Sequence, residues 1–476
     1  MTGMREWAHT ESPVAAAMAG DPSLLLGAYD IDSLGYSALE FVVSGTATSY
    51  TTTQPLAEAS WGAVPADNAR FATRIVVLRP KDPERFSGTV IVEWLNVTSG
   101  MDSPAVWLMA HRQLVRAGHA FVAVSAQKMG VEGGASILGP DNSLKRIHPE
   151  RYGGLHHPGD AFSYDIYSQV GRLVRSPHPG GVLGDLVAQY VIAVGESQSA
   201  AFLTTYVNRV DPLVNLFDGF FIHSRLGGAA RLDGELAIAA EEGFSSVRLW
   251  QESRVPVMTF VTESDVLGFG PMVGFHTARQ PDTDFLRTWE LAGAAHADNY
   301  TIAVSFIDTG LAPLQMLAAG YAPTRTVLGE PLPQAINCGP QHHYVAQAAL
   351  DALDRWVRTG TAPASGARIE LSATTPASVV RDEHGIARGG IRTPWVDVPI
   401  ARLSGEGSPG SLIAALFGTS EVFDQATLKH LYPGGKADYL GRFEASLDRT
   451  IRQGFALSED RQEILDLASA MWHGIH

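Results

Sequence analysis

Short runs of consecutive apolar residues alternate along this chain with longer stretches whose apolar positions recur every three or four residues. The runs at 37–50 and 72–79, rich in Val, Thr and aromatic residues, read as strands closed by Pro80 and the turn that follows. Residues 89–96, 120–125, 190–195, 216–223, 255–262 and 285–292 are further apolar runs of strand length. Between them, helical spacing appears at 106–117, where Gly118 ends the pattern, and at 165–174, 200–210, 270–279 and 344–357. In the last of these, Val345, Ala349, Leu353, Trp356 and Val357 share one side, and Gly360 caps the end. Unbroken apolar strands alternating with helices predict an α/β architecture, with a mostly parallel sheet covered on both faces.

Three long segments, at about 130–161, 226–254 and 309–339, show no clear period. Loops of that length inside a compact domain carry function or small elements of their own, so they are expected to form lid-like insertions. The expected organisation is one core over residues 1–362 bearing these insertions, with residues 363–476 as a C-terminal extension packed on it. The tail has helix candidates at 412–417, 437–453 and 460–472. Aromatic and apolar residues of the loops (Trp250, Phe269, Met272, Phe275, Met316, Tyr321) are candidates for a pocket lining.

The stretch Val191-Ile-Ala-Val-Gly-Glu-Ser-Gln-Ser-Ala-Ala201 is the most informative. It reads as a strand, a tight turn centred on Ser197, and a helix, which is the setting of a nucleophile elbow. Such a turn lifts a hydroxyl above the sheet, and the start of the next helix favours negative charge developing beside it. Small residues two before and two after the serine let strand and helix approach closely. They are Gly195 and Ser199, so the second glycine of G-x-S-x-G is replaced. The competing reading is an ordinary strand-to-helix turn with an N-capping serine.

A nucleophilic serine needs a base, and the base needs an orienting acid; on this scaffold both follow in the order acid, then histidine. Glu263 and Asp265 come just after the 255–262 strand, and Asp265 is preferred because it lies further past the strand. His296 follows the 285–292 strand within Gly293-Ala-Ala-His-Ala-Asp298. His342 and His343, at the start of the 344–357 helix, are the alternative bases. An oxyanion hole would combine the Gln198 backbone N–H with a donor from the loop 95–100, for which Asn96 is the candidate.

Composition narrows the classes. The 476 residues carry a net charge of −15, from 50 acidic and 35 basic residues without a long acidic run, which weighs against nucleic-acid binding. One cysteine, Cys338, forbids an internal disulfide and suits a reducing compartment. Residues 1–20 lack the apolar stretch of an export signal, and no window approaches a membrane span. A cytoplasmic protein is expected; a homo-oligomer is compatible with the sequence. Adjacent histidines (His156-His157, His342-His343) raise a metal-dependent reading, but they diverge in direction and no H-E-x-x-H spacing occurs, so no metal is expected.

Taken in order, Val92-Glu-Trp-Leu-Asn-Val97, Val124-Ser-Ala-Gln127, Ser163 to Gln169, Val194-Gly-Glu-Ser-Gln-Ser-Ala200, Asp218 to Arg225, Thr262-Glu-Ser-Asp265 and Trp289 to Asp298 resemble large, mostly bacterial α/β-hydrolase-domain proteins of the esterase and lipase superfamily. The resemblance covers about residues 36–360. It implies the α/β-hydrolase fold, ester-hydrolase chemistry and Ser197, Asp265 and His296 as a triad. A serine hydrolase acting without a cofactor on a small to medium apolar ester is therefore expected, with an amidase, a lactonase or a non-catalytic small-molecule binding protein as alternatives.

Overall fold

The computed structural model describes residues 12–55, 62–176, 180–241, 244–408 and 410–473; the expectation for the first eleven residues lies outside these. Its centre is a nine-stranded sheet made of β1 (Val14–Met18), β2 (Tyr36–Thr51), β3 (Val64–Pro80), β4 (Thr89–Trp94), β5 (Ala120–Val124), β6 (Tyr190–Glu196), β7 (Gly219–His223), β8 (Val257–Thr262) and β9 (Leu286–Leu291), in the order 1-2-3-5-4-6-7-8-9. From β5 to β9 all neighbours pair in parallel. The long strand β3 runs against both β2 and β5, and the edge strand β1 runs against β2. The sheet is mostly parallel, as the apolar runs require.

Helices cover both faces, which is why every residue of β4, β5, β7 and β8 is buried. On one face α2 (Ser163–Arg175) and α3 (Gln198–Thr205) pack Tyr164, Tyr167 and Phe202 around Trp94. On the other, α1 (Ala105–Ala117) and α5 (Gln341–Thr359) bring Trp107, Val345, Leu353 and Trp356 against Ile91, Ile192 and Phe260. Each such aliphatic side chain stabilises the fold by about 1.5–3 kcal/mol on burial. Gly118 and Gly360 end α1 and α5 in left-handed conformations (φ 73° and 72°).

Two expected elements differ. The stretch 200–210 is α-helical only through Thr205 and continues as a π-turn, Tyr206–Val210. The crossover at 270–279 is not a helix. After the short helix α4 (Glu263–Leu267) the chain makes a tight hairpin of Gly268–Phe269 with Met272–Val273, then one 3₁₀ turn, Phe275–Ala278. Gly268 and Gly270 have φ of 84° and 57°, which a helix cannot accommodate.

Beyond residue 362 the chain forms α6 (Leu412–Leu416), α7 (Gly435–Arg452), α8 (Arg461–His473) and smaller pieces. Trp395, Tyr439, Phe443 and Leu467 build an apolar cluster with Tyr344 of α5 and Met109 of α1. Among the described residues no helix is long and apolar enough to cross a membrane.

Candidate active site

Parallel strands open their crevice at the carboxyl ends, and the candidate residues gather there. β6 must reverse directly into α3, and Ser197 makes the turn at φ 57°, ψ −114°, a strained conformation for a residue with a side chain. The Ser197 N–H donates to the His223 carbonyl (2.9 Å), fixing the turn to the end of β7. Gly195 is required by contact: a Cβ there would lie 2.9 Å from Leu203 Cδ1 and 3.1 Å from Ser199 Cβ.

Asp265 is placed by the start of α4. Thr262 ends β8 and caps that helix, and Asp265 Oδ2 accepts both the Thr262 N–H and its hydroxyl at 2.7 Å. This leaves Oδ1 for His296, whose Nδ1–H donates to it at 2.5 Å. On the other side of the ring, the Ser197 hydroxyl donates to Nε2 at 2.9 Å. The Ser264 hydroxyl accepts the His296 N–H (3.1 Å), and Phe269 packs edge-on against the ring at 5.0 Å.

Burial alone would push the Asp265 carboxyl up and the His296 imidazole down. The imidazole charge and the bonds from His296 and Thr262 outweigh this, holding Asp265 below the usual carboxylate range. Likewise the charges of Asp265 and Glu196 outweigh burial at His296 and raise it above 6.5.

Glu263 goes elsewhere. Its carboxylate pairs with Arg381 of the C-terminal extension (2.9 Å) and accepts the Gly293 N–H (3.0 Å) and the Ser404 hydroxyl (3.2 Å). Of the alternative bases, His343 is stacked flat on Tyr300 with centroids 3.8 Å apart, inside the C-terminal cluster. His342 does reach the crevice, but its Nε2 meets His223 Nε2 at 3.0 Å rather than the serine.

Asn96 corrects one expectation. Its backbone N–H donates to the Ser103 carbonyl (3.0 Å) and is not free for an oxyanion; its side-chain amide donates to the Glu196 carbonyl and to Glu196 Oε2, both at 3.1 Å. On the same loop the Val97 N–H donates to Gln198 Oε1 at 3.2 Å, next to the nucleophile turn. Gln198 itself opens α3, where the first N–H groups have no partner within the helix.

Ser197 and His296 open onto a cavity of about 320 Å³. Its walls include Leu226, Ile238, Phe269, Met272, Leu416 and Phe417, while Glu196, His223 and His342 are its other titratable groups. Among the described residues no Lys or Arg lines it. Phe269 and Met272 line it as expected. Phe275 instead packs with Val261 and Val266, Tyr321 joins the C-terminal cluster, Met316 is half exposed, and Trp250 lies outside the lining.

Sequence reasoning missed three contributors. Glu196 sat in the variable position of G-x-S, and His223 looked like the end of a strand. Leu412, Leu416 and Phe417 lay in a tail expected to pack on the core, where no residue was singled out for the pocket. The one available signal was Glu196, a carboxylate at the end of an otherwise apolar strand.

The sheet order, the elbow and the position of these groups define an α/β-hydrolase. The chain belongs to the family described as "Alpha/beta hydrolase domain", which it matches over residues 9–466. No curated protein matches it significantly. Among solved structures it is similar to an α/β serine hydrolase without a lid from Xanthomonas campestris (13% identity, 51% of this chain and 84% of that one, TM-score 0.27). It is also similar to a glucuronoyl esterase from Solibacter usitatus (10%, 60% and 83%, 0.29). A third is an esterase from Pyrococcus furiosus (10%, 57% and 87%, 0.28).

Proposed function

We propose that this protein is a serine hydrolase of carboxylic esters, with Ser197 as nucleophile, His296 as general base and Asp265 as the group that orients and charges the imidazole. The observation that carries the reading is the single imidazole bridging a strained serine hydroxyl at 2.9 Å and a buried carboxylate at 2.5 Å. Asp265 fixes the proton on Nδ1, so Nε2 is free to accept. As Ser197 Oγ attacks the ester carbonyl, its proton passes to Nε2. The same proton then goes to the leaving alkoxide, and an acyl-serine remains. Water deprotonated by His296 releases the acid and restores the serine.

The Gln198 N–H at the head of α3 serves as one oxyanion donor. The loop after β4 supplies the second through the Val97 N–H, once the Gln198 side chain gives way to the substrate. Apolar walls without a cation favour a neutral ester with an apolar acyl or alcohol part, and esters are favoured over amides because an alkoxide leaves more easily than an amine. The lone, buried Cys338 suits the reducing cytoplasm.

A fluorophosphonate probe tests the reading directly. The wild-type protein is expected to be labelled once, at Ser197, and Ser197→Ala to be unlabelled and to lose ester turnover. Labelling that survives in Ser197→Ala overturns it.

A further inference from the structure

A second carboxylate stands at the imidazole, and the reaction as written leaves it without a task. Glu196 Oε1 lies 3.5 Å from His296 Nε2, on the side opposite Asp265. The side chain is only 13% exposed. Its other oxygen, Oε2, is held at 3.1 Å by the Asn96 amide, which also grips the Glu196 carbonyl. Asn96 thus fixes the carboxylate so that the free oxygen faces the imidazole.

We propose that Glu196, held by Asn96, is the electrostatic partner of His296 Nε2 during catalysis, so that the imidazolium forms between two carboxylates. The inference rests on the serine-hydrolase reading above. The proton that leaves Ser197 Oγ arrives on Nε2, next to Glu196 Oε1. The positive charge created by that one transfer is met by Asp265 at Nδ1 and by Glu196 at Nε2. When the proton moves on to the leaving alkoxide, both contacts relax to charge–neutral ones. An anion that interacts with the imidazolium more strongly than with neutral imidazole lowers the barrier rather than merely binding the ground state.

The surroundings of Glu196 are mixed in sign. It faces His296, Asp265 across that ring, His342 from α5, and the Asn96 amide; His223 is its register partner on β7, and Glu93 of β4 lies behind it. Burial, opposed by His296, His342 and Asn96 and reinforced by the Asp265 charge, leaves its carboxyl raised to about 7. As pH rises through that value Glu196 becomes the anion that faces the ring, while general-base action needs His296 in its neutral form. Two groups this close titrate as a pair, so protonating Glu196 also weakens the hold on the imidazolium.

The test uses the full-length protein and the isosteric change Glu196→Gln. Removing an anion from beside an imidazolium lowers the imidazole pKa. The acid limb of kcat/KM on a p-nitrophenyl ester should therefore move to lower pH, by about half a unit or more, while the plateau falls by about tenfold or more. A merely structural loss lowers the plateau without moving the limb in that direction. A limb that stays in place or moves to higher pH overturns the proposal, as does a plateau within about threefold of wild type. The His296 ring is also titrated by NMR in Ser197→Ala with and without Glu196→Gln, which reads the same shift with no turnover. That measurement separates a failure of this inference from a failure of Ser197 as nucleophile. Should the Gln variant not fold, Glu196→Asp, which withdraws the charge by one methylene, is expected to shift the ring in the same direction and by less; no shift in it counts against the proposal.

Discussion

Glu263 and Asp265, separated by one residue on the same short helix, end in different parts of the molecule: one carboxylate meets Arg381 at 2.9 Å, the other His296 at 2.5 Å. The first turn of α4 divides them, because Thr262 captures Asp265 and leaves Glu263 facing the C-terminal extension. The two substitutions should therefore separate activity from stability. Asp265→Asn is expected to lower kcat by about 10⁴ with little change in unfolding midpoint. Glu263→Gln leaves Arg381 without that partner and should cost about 3 kcal/mol in denaturant unfolding, with phosphonate labelling retained by the folded protein.

The pH profile follows from the direction of the His296 shift. Its imidazole is raised above 6.5, and general-base action requires the neutral ring. Ester turnover should be full at alkaline pH and fall as pH drops through a midpoint above 6.5. A midpoint near that of a carboxylic acid would assign the base to another group.

The close approach at the elbow predicts a cost for bulk. Gly195→Val sets carbon atoms against Leu203 and Ser199, which belong to a helix already packed on the sheet. Overpacking of this kind is expected to destabilise by about 1–3 kcal/mol, read as a shift in urea midpoint. Turnover should fall as well, because α3 carries the proposed oxyanion donor, the Gln198 N–H.

The apolar wall offers a specificity test. Phe417→Ala and Leu416→Ala remove surface from the cavity without touching Ser197 or His296. Discrimination in favour of longer apolar esters over acetate esters should fall by roughly 10-fold or more, since apolar contacts are worth about 1–3 kcal/mol per group in such pockets. Equal effects on long and short esters would assign these residues to packing alone.

Much of this was legible in the sequence, for a physical reason. A strand buried on both faces has to be apolar at consecutive positions, so Val191 to Val194 announced itself, and the elbow could be read from the glycine and serine that follow. The order of the acid and the histidine came with the same scaffold. What the sequence did not reveal depends on side chains meeting across long separations. Nothing near Asn96 tells that its amide is taken by Glu196, and nothing around Phe417 marks it as a pocket residue. The helix expected at 270–279 failed for a local reason: glycines in left-handed conformations at 268 and 270 fold the chain into a hairpin despite its apolar spacing. Position past the strand favoured Asp265 over Glu263, but the physical reason, capture of Asp265 by the N–H and hydroxyl of Thr262, was not visible in the sequence.

The wall built by Leu412, Leu416 and Phe417 has a bearing on how the enzyme comes into being. The Leu416 carbonyl accepts the Ala297 N–H and the Phe417 carbonyl the Asn337 N–H, so a late stretch of chain closes over an early one. During synthesis from the N-terminus, Ser197, Asp265 and His296 all emerge from the ribosome while their cavity still lacks a side. A nascent chain halted before residue 412 would hold Ser197, Asp265 and His296 without that wall, and the closed cavity would arrive as a late event of translation rather than with the sheet.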